Sequence, residues 1–153
     1  MNKQKILFIC HGNICRSPMA EFVFKHLAAQ AGLDGQFEVA SAATSTEETG
    51  NPVYPPARRK LAEHGISCAG KIARQLTRAD GDYYDLLIGM DEANRRNILR
   101  LIAPENAHKV YLLMEFAGQD KEVADPWYTG DFEATWQDVL AGCGALLAKL
   151  TKK

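Results

Sequence analysis

The segment "KILFICHGNICRSPMAEFVFKHLAAQAG", residues 5 to 32, changes its periodicity partway, and that change decides the fold. Residues 5 to 10 form a near-continuous apolar run, the pattern of a strand covered on both faces of a parallel sheet. Further on, Ala20, Val23, Phe24, Leu27 and Ala31 recur at helical spacing, with Glu21, Lys25 and Gln30 on the opposite side and Gly32 as the stop. Between strand and helix lies a short loop holding two cysteines, a glycine, an asparagine, an arginine and a serine.

The same alternation continues along the chain. "FEVASAA" (37–43) is a second strand candidate, followed by a polar, proline-dotted loop from residue 44 to 56 and a short helix running to Gly65. "DYYDLLIGM" (82–90) and "HKVYLLMEF" (108–116) read as strands three and four, separated by a helix in "DEANRRNILRLIA" that Pro104 ends. The last helix carries a stripe of Phe132, Trp136, Val139, Leu140, Cys143, Leu147 and Leu150, with Asp131 as its N-cap. Alternating strands and helices predict a single doubly wound α/β domain over residues 1–153, with helices on both faces of a parallel sheet. In such folds ligands sit beyond the carboxyl ends of the strands, and Cys10 closes the first strand.

Bulk composition narrows the function classes. Hydrophobic residues at 46% and charged ones at 24% suit a soluble globular protein. A formal net charge of -1, with no basic cluster beyond "ARRK" at 57–60, argues against nucleic acid as a partner. No window reaches the length of a membrane span, and the apolar start is too short for a signal peptide, so a cytoplasmic protein is expected. Four cysteines, at 10, 15, 68 and 143, lack the density of a disulfide framework and the paired spacing of a structural zinc site. Cys68 and Cys143 read as buried structural residues, and His64 as a helix-end residue.

Residues 10 to 17 leave a strand and enter a helix, so loop amides and the helix N-terminus can converge on one anion. Gly12 lets the backbone curl, and Asn13 tolerates left-handed torsion angles. The loop lacks the G-K-[ST] ending of a nucleotide-binding P-loop; Arg16 instead offers a planar fork for two oxygens of a tetrahedral oxyanion. Amides and a guanidinium around a thiol depress cysteine pKa values to roughly 3.5–7.5, so Cys10 is expected to be a thiolate aimed at phosphorus.

The spacing C-x5-R followed by Ser is the loop of cysteine-dependent phosphatases, and "CHGNICRSP" near the N-terminus resembles the low-molecular-weight protein tyrosine phosphatases. "SAATS" (41–45), "HGI" (64–66), "ARQLT" (73–77), "YDLLIGMDEAN" (84–94) and "ADPWYTG" (124–130) extend the resemblance over nearly the whole chain. It implies a four-stranded parallel sheet and hydrolysis of phosphotyrosine proteins, peptides and small aryl phosphates, with no metal or cofactor and no membrane insertion; a monomer is expected.

The resemblance also implies roles. Cys10 attacks phosphorus to form a phosphocysteine, while Arg16 and the amides of His11, Gly12, Asn13, Ile14, Cys15 and Ser17 bind the oxyanion. Asp125 protonates the leaving phenol and then activates water. Ser17 donates to the Cys10 sulfur, and Asn13 holds the loop through Ser17 and Ser41. Trp127 and Tyr128 wall the pocket mouth, and Cys15 traps oxidised Cys10 as a disulfide. Taken alone, Asp125 also reads as a turn former before proline, Cys15 as a small buried residue, and Trp127 and Tyr128 as core aromatics. His11 is expected to point outward.

Several positions depart from the family pattern. An aromatic usual after the second strand is replaced by "TEETG" (46–50), which puts Glu47 and Glu48 near the cleft and disfavours acidic substrates by charge repulsion. The common Asp-Pro-Arg becomes "VYPPARR" (53–59), and Lys71 lies close to the place of a common histidine. Three rival activities remain. Arsenate reductases on this scaffold need a further close cysteine pair, which Cys68 and Cys143 do not form. Protein arginine phosphatases carry threonine where this chain has Ile14. A phosphate-binding module without turnover would need neither Cys10 nor Asp125.

Overall fold

The structure, a computed structural model, describes residues 3–151. Four strands, β1 (Gln4–Cys10), β2 (Phe37–Ala43), β3 (Leu86–Gly89) and β4 (Val110–Leu112), pair in parallel in the order β2-β1-β3-β4. The chain therefore leaves β1 in one direction to β2 and returns to its other side for β3. That reversal puts the topological switch point at the carboxyl end of β1, where Cys10 pairs with Ala43.

The period-2 geometry of a strand divides β1 between two cores. Ile6, Phe8 and Cys10 face one core with α1 (Arg16–Gln30), α2 (Pro55–Glu63), α5 (Leu113–Phe116) and α7 (Phe132–Thr151). Leu7 and Ile9 face the other, with Ile98 of α4 (Glu92–Leu101), Leu76, Tyr84 and Leu87. Both faces of the sheet are thus covered, which is why residues 5 to 10 read as an unbroken apolar run. Phe8 and Phe24 are wholly buried, and each such side chain contributes roughly 1.5–3 kcal/mol. As expected, Asp131 caps the last helix, accepting from the Ala134 N–H at 2.9 Å.

Two strands are shorter than the sequence predicts. Only Leu86–Gly89 of residues 82–90 pairs, because the preceding residues form α3 (Arg78–Tyr83). There the Thr77 hydroxyl accepts from the Asp80 N–H at 3.2 Å and the Asp80 carboxylate accepts from the Thr77 N–H at 2.8 Å, a reciprocal cap that stabilises helix over strand. Of residues 108–116, only Val110–Leu112 is strand. The Glu115 carboxylate captures the Leu112 N–H at 2.7 Å, and the chain winds into α5, whose Leu113 and Met114 enter the α7 core. An apolar run long enough for a strand carries no mark of where it bends.

Glu21 departs from the expected helical wheel. It is buried on α1, accepting 2.6 Å from the Ser41 hydroxyl and 2.5 Å from Lys25.

Candidate active site

Cys10 faces the α1 side of the sheet at the end of the central strand, buried, with the loop 11–15 curling over it. Asn13 takes φ 60°, the one non-glycine residue in the left-handed region among the described residues. Its amide side chain explains the tolerance. The Nδ2 group donates to Ser17 Oγ at 2.8 Å and Ser41 Oγ at 2.9 Å, and Oδ1 accepts from the Arg74 N–H at 3.3 Å. Because Ser17 Oγ accepts from Asn13, its proton is free to point at Cys10 Sγ, 3.0 Å away. The Asn13 backbone N–H also points at that sulfur, at 3.3 Å. Gly12 has a different use from the one its position in a tight loop suggests. Its φ is not left-handed; a Cβ there would stand 3.3 Å from Cγ of Glu48, so its bareness admits the Glu48 methylenes.

The first turn of α1 is open. Its N-cap, Cys15, provides no side-chain hydrogen bond, and no acidic residue lies in the first turn. Uncapped amides at a helix N-terminus attract an anion. Beside them Arg16 is 2% exposed, and Nη1 donates to the Asp91 carboxylate at 2.7 Å and to the Val123 carbonyl at 2.9 Å. Nη2 lies 3.4 Å from the Asp125 carboxylate. Burial opposes the charge on Arg16, but Cys10, Asp91 and Asp125 outweigh it and raise its pKa. Asp91 escaped the sequence reading: "DEAN" signals a helix cap, and Asp91 does accept from the Asn94 N–H at 2.7 Å, but its second oxygen serves Arg16.

These groups open into one pocket of about 550 Å³, lined by Cys10, Cys15, Arg16 and Asp125 at depth and by His11, Gly12, Ile14, Glu47, Glu48, Trp127 and Tyr128. Asp125 caps α6 (Pro126–Thr129), accepting from the Trp127 N–H at 3.0 Å. Trp127 and Tyr128 are 54% and 83% exposed, so they stand at the mouth and not in a core. Tyr54, unmarked by any motif, backs Trp127 with ring centroids 4.9 Å apart. His11 is exposed, as expected, and its Nε2 meets the Glu47 carboxylate.

Two further side chains complete the surroundings. Cys15 is buried, and that burial, reinforced by Cys10 and Asp125, pushes its thiol up to about 12. Lys71 donates 2.9 Å to the Ser41 carbonyl and lies 3.8 Å from the Glu21 carboxylate; burial lowers its pKa, with Glu21 opposing. A buried chain of polar contacts thus runs from Lys71 through Glu21, Ser41, Asn13 and Ser17 to Cys10. Cys68 and Cys143 lie outside the pocket, in the α1 side core.

Comparison with known proteins gives the chain full-length relatives and the same fold. A *Bacillus subtilis* protein, low molecular weight protein-tyrosine-phosphatase YfkJ, is 38% identical over 97% of this chain and 96% of its own length. Its crystal structure superposes with a TM-score of 0.96 over 99% of this chain and 97% of that one. The low molecular weight phosphotyrosine protein phosphatase of *Rattus norvegicus* is 38% identical over 97% of each chain. The crystal structure of DARP, a drosophila arginine phosphatase, is 27% identical, with a TM-score of 0.90 over 98% of this chain and 99% of that one. The family model described as low molecular weight phosphotyrosine protein phosphatase matches residues 5–153, and with near-complete coverage at this identity the chain belongs to that family.

Proposed function

We propose that the protein is a cysteine-dependent protein tyrosine phosphatase that works through a phosphocysteine intermediate. One observation carries the proposal: Cys10 Sγ, under hydrogen bonds from Ser17 and the Asn13 amide, shares a pocket with Arg16 and Asp125. The Cys10 thiolate attacks phosphorus in line with the phenolic oxygen, forming an S–P bond as the O–P bond breaks. The open amides of α1 and Arg16 hold the equatorial oxygens, where negative charge gathers in the transition state. Asp91 and the Val123 carbonyl grip one edge of the guanidinium and leave Nη2 to the phosphate. An arriving phosphate competes with Asp125 for that nitrogen; released from Arg16, the carboxylate takes up a proton from solvent and gives it to the phenolic oxygen as the O–P bond breaks. Asp125 then takes a proton from water as the water attacks phosphorus, which releases inorganic phosphate and restores the thiolate.

Trp127 and Tyr128 supply faces for the substrate ring. Ile14 lines the pocket without a hydroxyl, which favours phosphotyrosine over phosphoarginine. Cytoplasmic placement and action as a monomer belong to the same proposal. Cys15 is proposed as a redox partner: peroxide converts Cys10 to the sulfenic acid, and the Cys15 thiol displaces water to form a disulfide. Peroxide treatment followed by mass spectrometry should show Cys10 linked to Cys15; persistent sulfinic acid at Cys10 would overturn that role.

The decisive assay is turnover of p-nitrophenyl phosphate and of phosphotyrosine, phosphoserine and phosphoarginine peptides. Phosphotyrosine should be preferred, with Cys10→Ser inactive and Asp125→Ala slowed about 10²- to 10⁴-fold on phosphotyrosine peptides. Wild-type rates in Cys10→Ser would overturn the covalent mechanism.

A further inference from the structure

The loop that follows β2 is fastened to the loop over Cys10. The Thr44 N–H donates to the Cys10 carbonyl at 2.9 Å, and the Ser45 N–H and hydroxyl both donate to the His11 carbonyl, at 3.1 and 3.0 Å. A little further on, the Tyr54 N–H donates to the Ile14 carbonyl at 2.9 Å, and Gly50 and Asn51 exchange backbone bonds with Ala73. Glu47 and Glu48 are therefore carried on a scaffold registered to the phosphate site.

The two carboxylates differ in their surroundings. The Glu47 carboxylate is engaged by the His11 ring nitrogen. Glu48 lays its methylenes over Gly12, and its carboxylate meets Asn51 Nδ2 at 3.3 Å; among the described residues it has no cationic partner. It lines the same pocket as Arg16, Asp125, Trp127 and Tyr128. The negative charge of Glu48 reaches the pocket floor, where it adds to the forces that raise the Cys15 pKa.

The geometry points to Glu48 as the residue that sets substrate preference, selecting phosphotyrosines flanked by lysine or arginine and rejecting those flanked by aspartate or glutamate. The inference rests on the phosphatase reading and adds the class of phosphopeptide. A flanking side chain at the rim comes within one Debye length of Glu48, so its charge is felt even at physiological ionic strength. Glu47 contributes less because His11 already occupies its carboxylate. A fixed unpaired anion beside the entrance acts on both signs, attracting one flank and repelling the other.

The test compares kcat/KM for phosphotyrosine peptides that differ only in Arg, Ala or Asp flanks, at low salt. Wild type should prefer the Arg-flanked peptide over the Asp-flanked one by about five- to tenfold, and the ratio should shrink as salt shortens the screening length. Glu48→Gln, which keeps the methylenes and the Asn51 contact, should bring the ratio within about twofold of unity, while Glu47→Gln retains most of it. Each ratio is read within one variant, so a common change in turnover cancels. A ratio untouched by Glu48→Gln, or abolished equally by Glu47→Gln, overturns the inference. Turnover of free phosphotyrosine that depends on Cys10 is measured alongside: if it is present and flanks do not matter, the specificity inference alone fails, and if it is absent the phosphatase reading fails with it.

Discussion

Asn13 combines a strained backbone with three side-chain hydrogen bonds, and the two contributions can be separated. Asn13→Ala places a Cβ in the left-handed region without the compensating amide and should cost about 1–3 kcal/mol in urea unfolding. Asn13→Gly should recover the strain but not the loop geometry, so stability returns while kcat stays low. Equal kcat in Asn13→Gly and wild type would show that the bonds to Ser17 and Ser41 do not matter for turnover. Cys15 gives a pH-dependent prediction. Its thiol rises from an ordinary 9.0 to about 12, so the folded protein keeps a proton that the unfolded chain loses. Stability from this group is complete below pH 9 and falls as pH rises toward 12. In Cys10→Ser protein, iodoacetamide at pH 7 should leave Cys15 unlabelled by mass spectrometry, and Cys15→Ala should flatten the alkaline decline. The motif from Cys10 to Ser17 was legible in the chain because all its members are sequence neighbours; Glu21 was misplaced because its burial depends on Ser41, twenty residues away.

Among the elements, α7 against α5 shows how close the packing is. A Cβ on Gly142 would stand 2.5 Å from Cγ of the buried Leu113, so the bare backbone is what lets α7 approach. Gly142→Ala gains about 1 kcal/mol of helix propensity, yet the overlap should dominate and leave a net loss of about 1–2 kcal/mol, visible as a lower Tm. An unchanged or raised Tm would mean that Leu113 yields freely. At this scale β1, β2, α1, α4 and α7 followed from periodicity and caps. The misread stretches, 82–90 and 108–116, overlap helices whose first turns are fixed where Asp80 and Glu115 capture backbone N–H groups, a choice that hydropathy does not record.

For the whole molecule, the parallel order β2-β1-β3-β4 gathers distant segments at one edge of the sheet. The Val123 N–H donates to the Met90 carbonyl at 3.0 Å, which brings the strand that ends near Asp91 and the segment leading to Asp125 to the same place. A phosphate bound there links these segments and should stabilise the fold: at a hundredfold excess over its Kd the gain is about 2.7 kcal/mol, or several degrees in Tm for a domain of this size. Arg16→Met should abolish the shift in a thermal melt with inorganic phosphate, and a shift retained in that variant would place the anion elsewhere.

The residues from 5 to 32 carried the essentials in linear order, since a buried strand, a thiol, an anion-binding loop and a helix are local features with local signals. Family motifs up to "ADPWYTG" extended that to Asp125. Three things needed the folded chain: the grip of Asp91 on Arg16, the extension of the buried path through Glu21 to Lys71, and the difference between Glu47 and Glu48. Each is an electrostatic contact between residues far apart in sequence, and side-chain charge has no period by which a partner could be found before the sheet brings the two together.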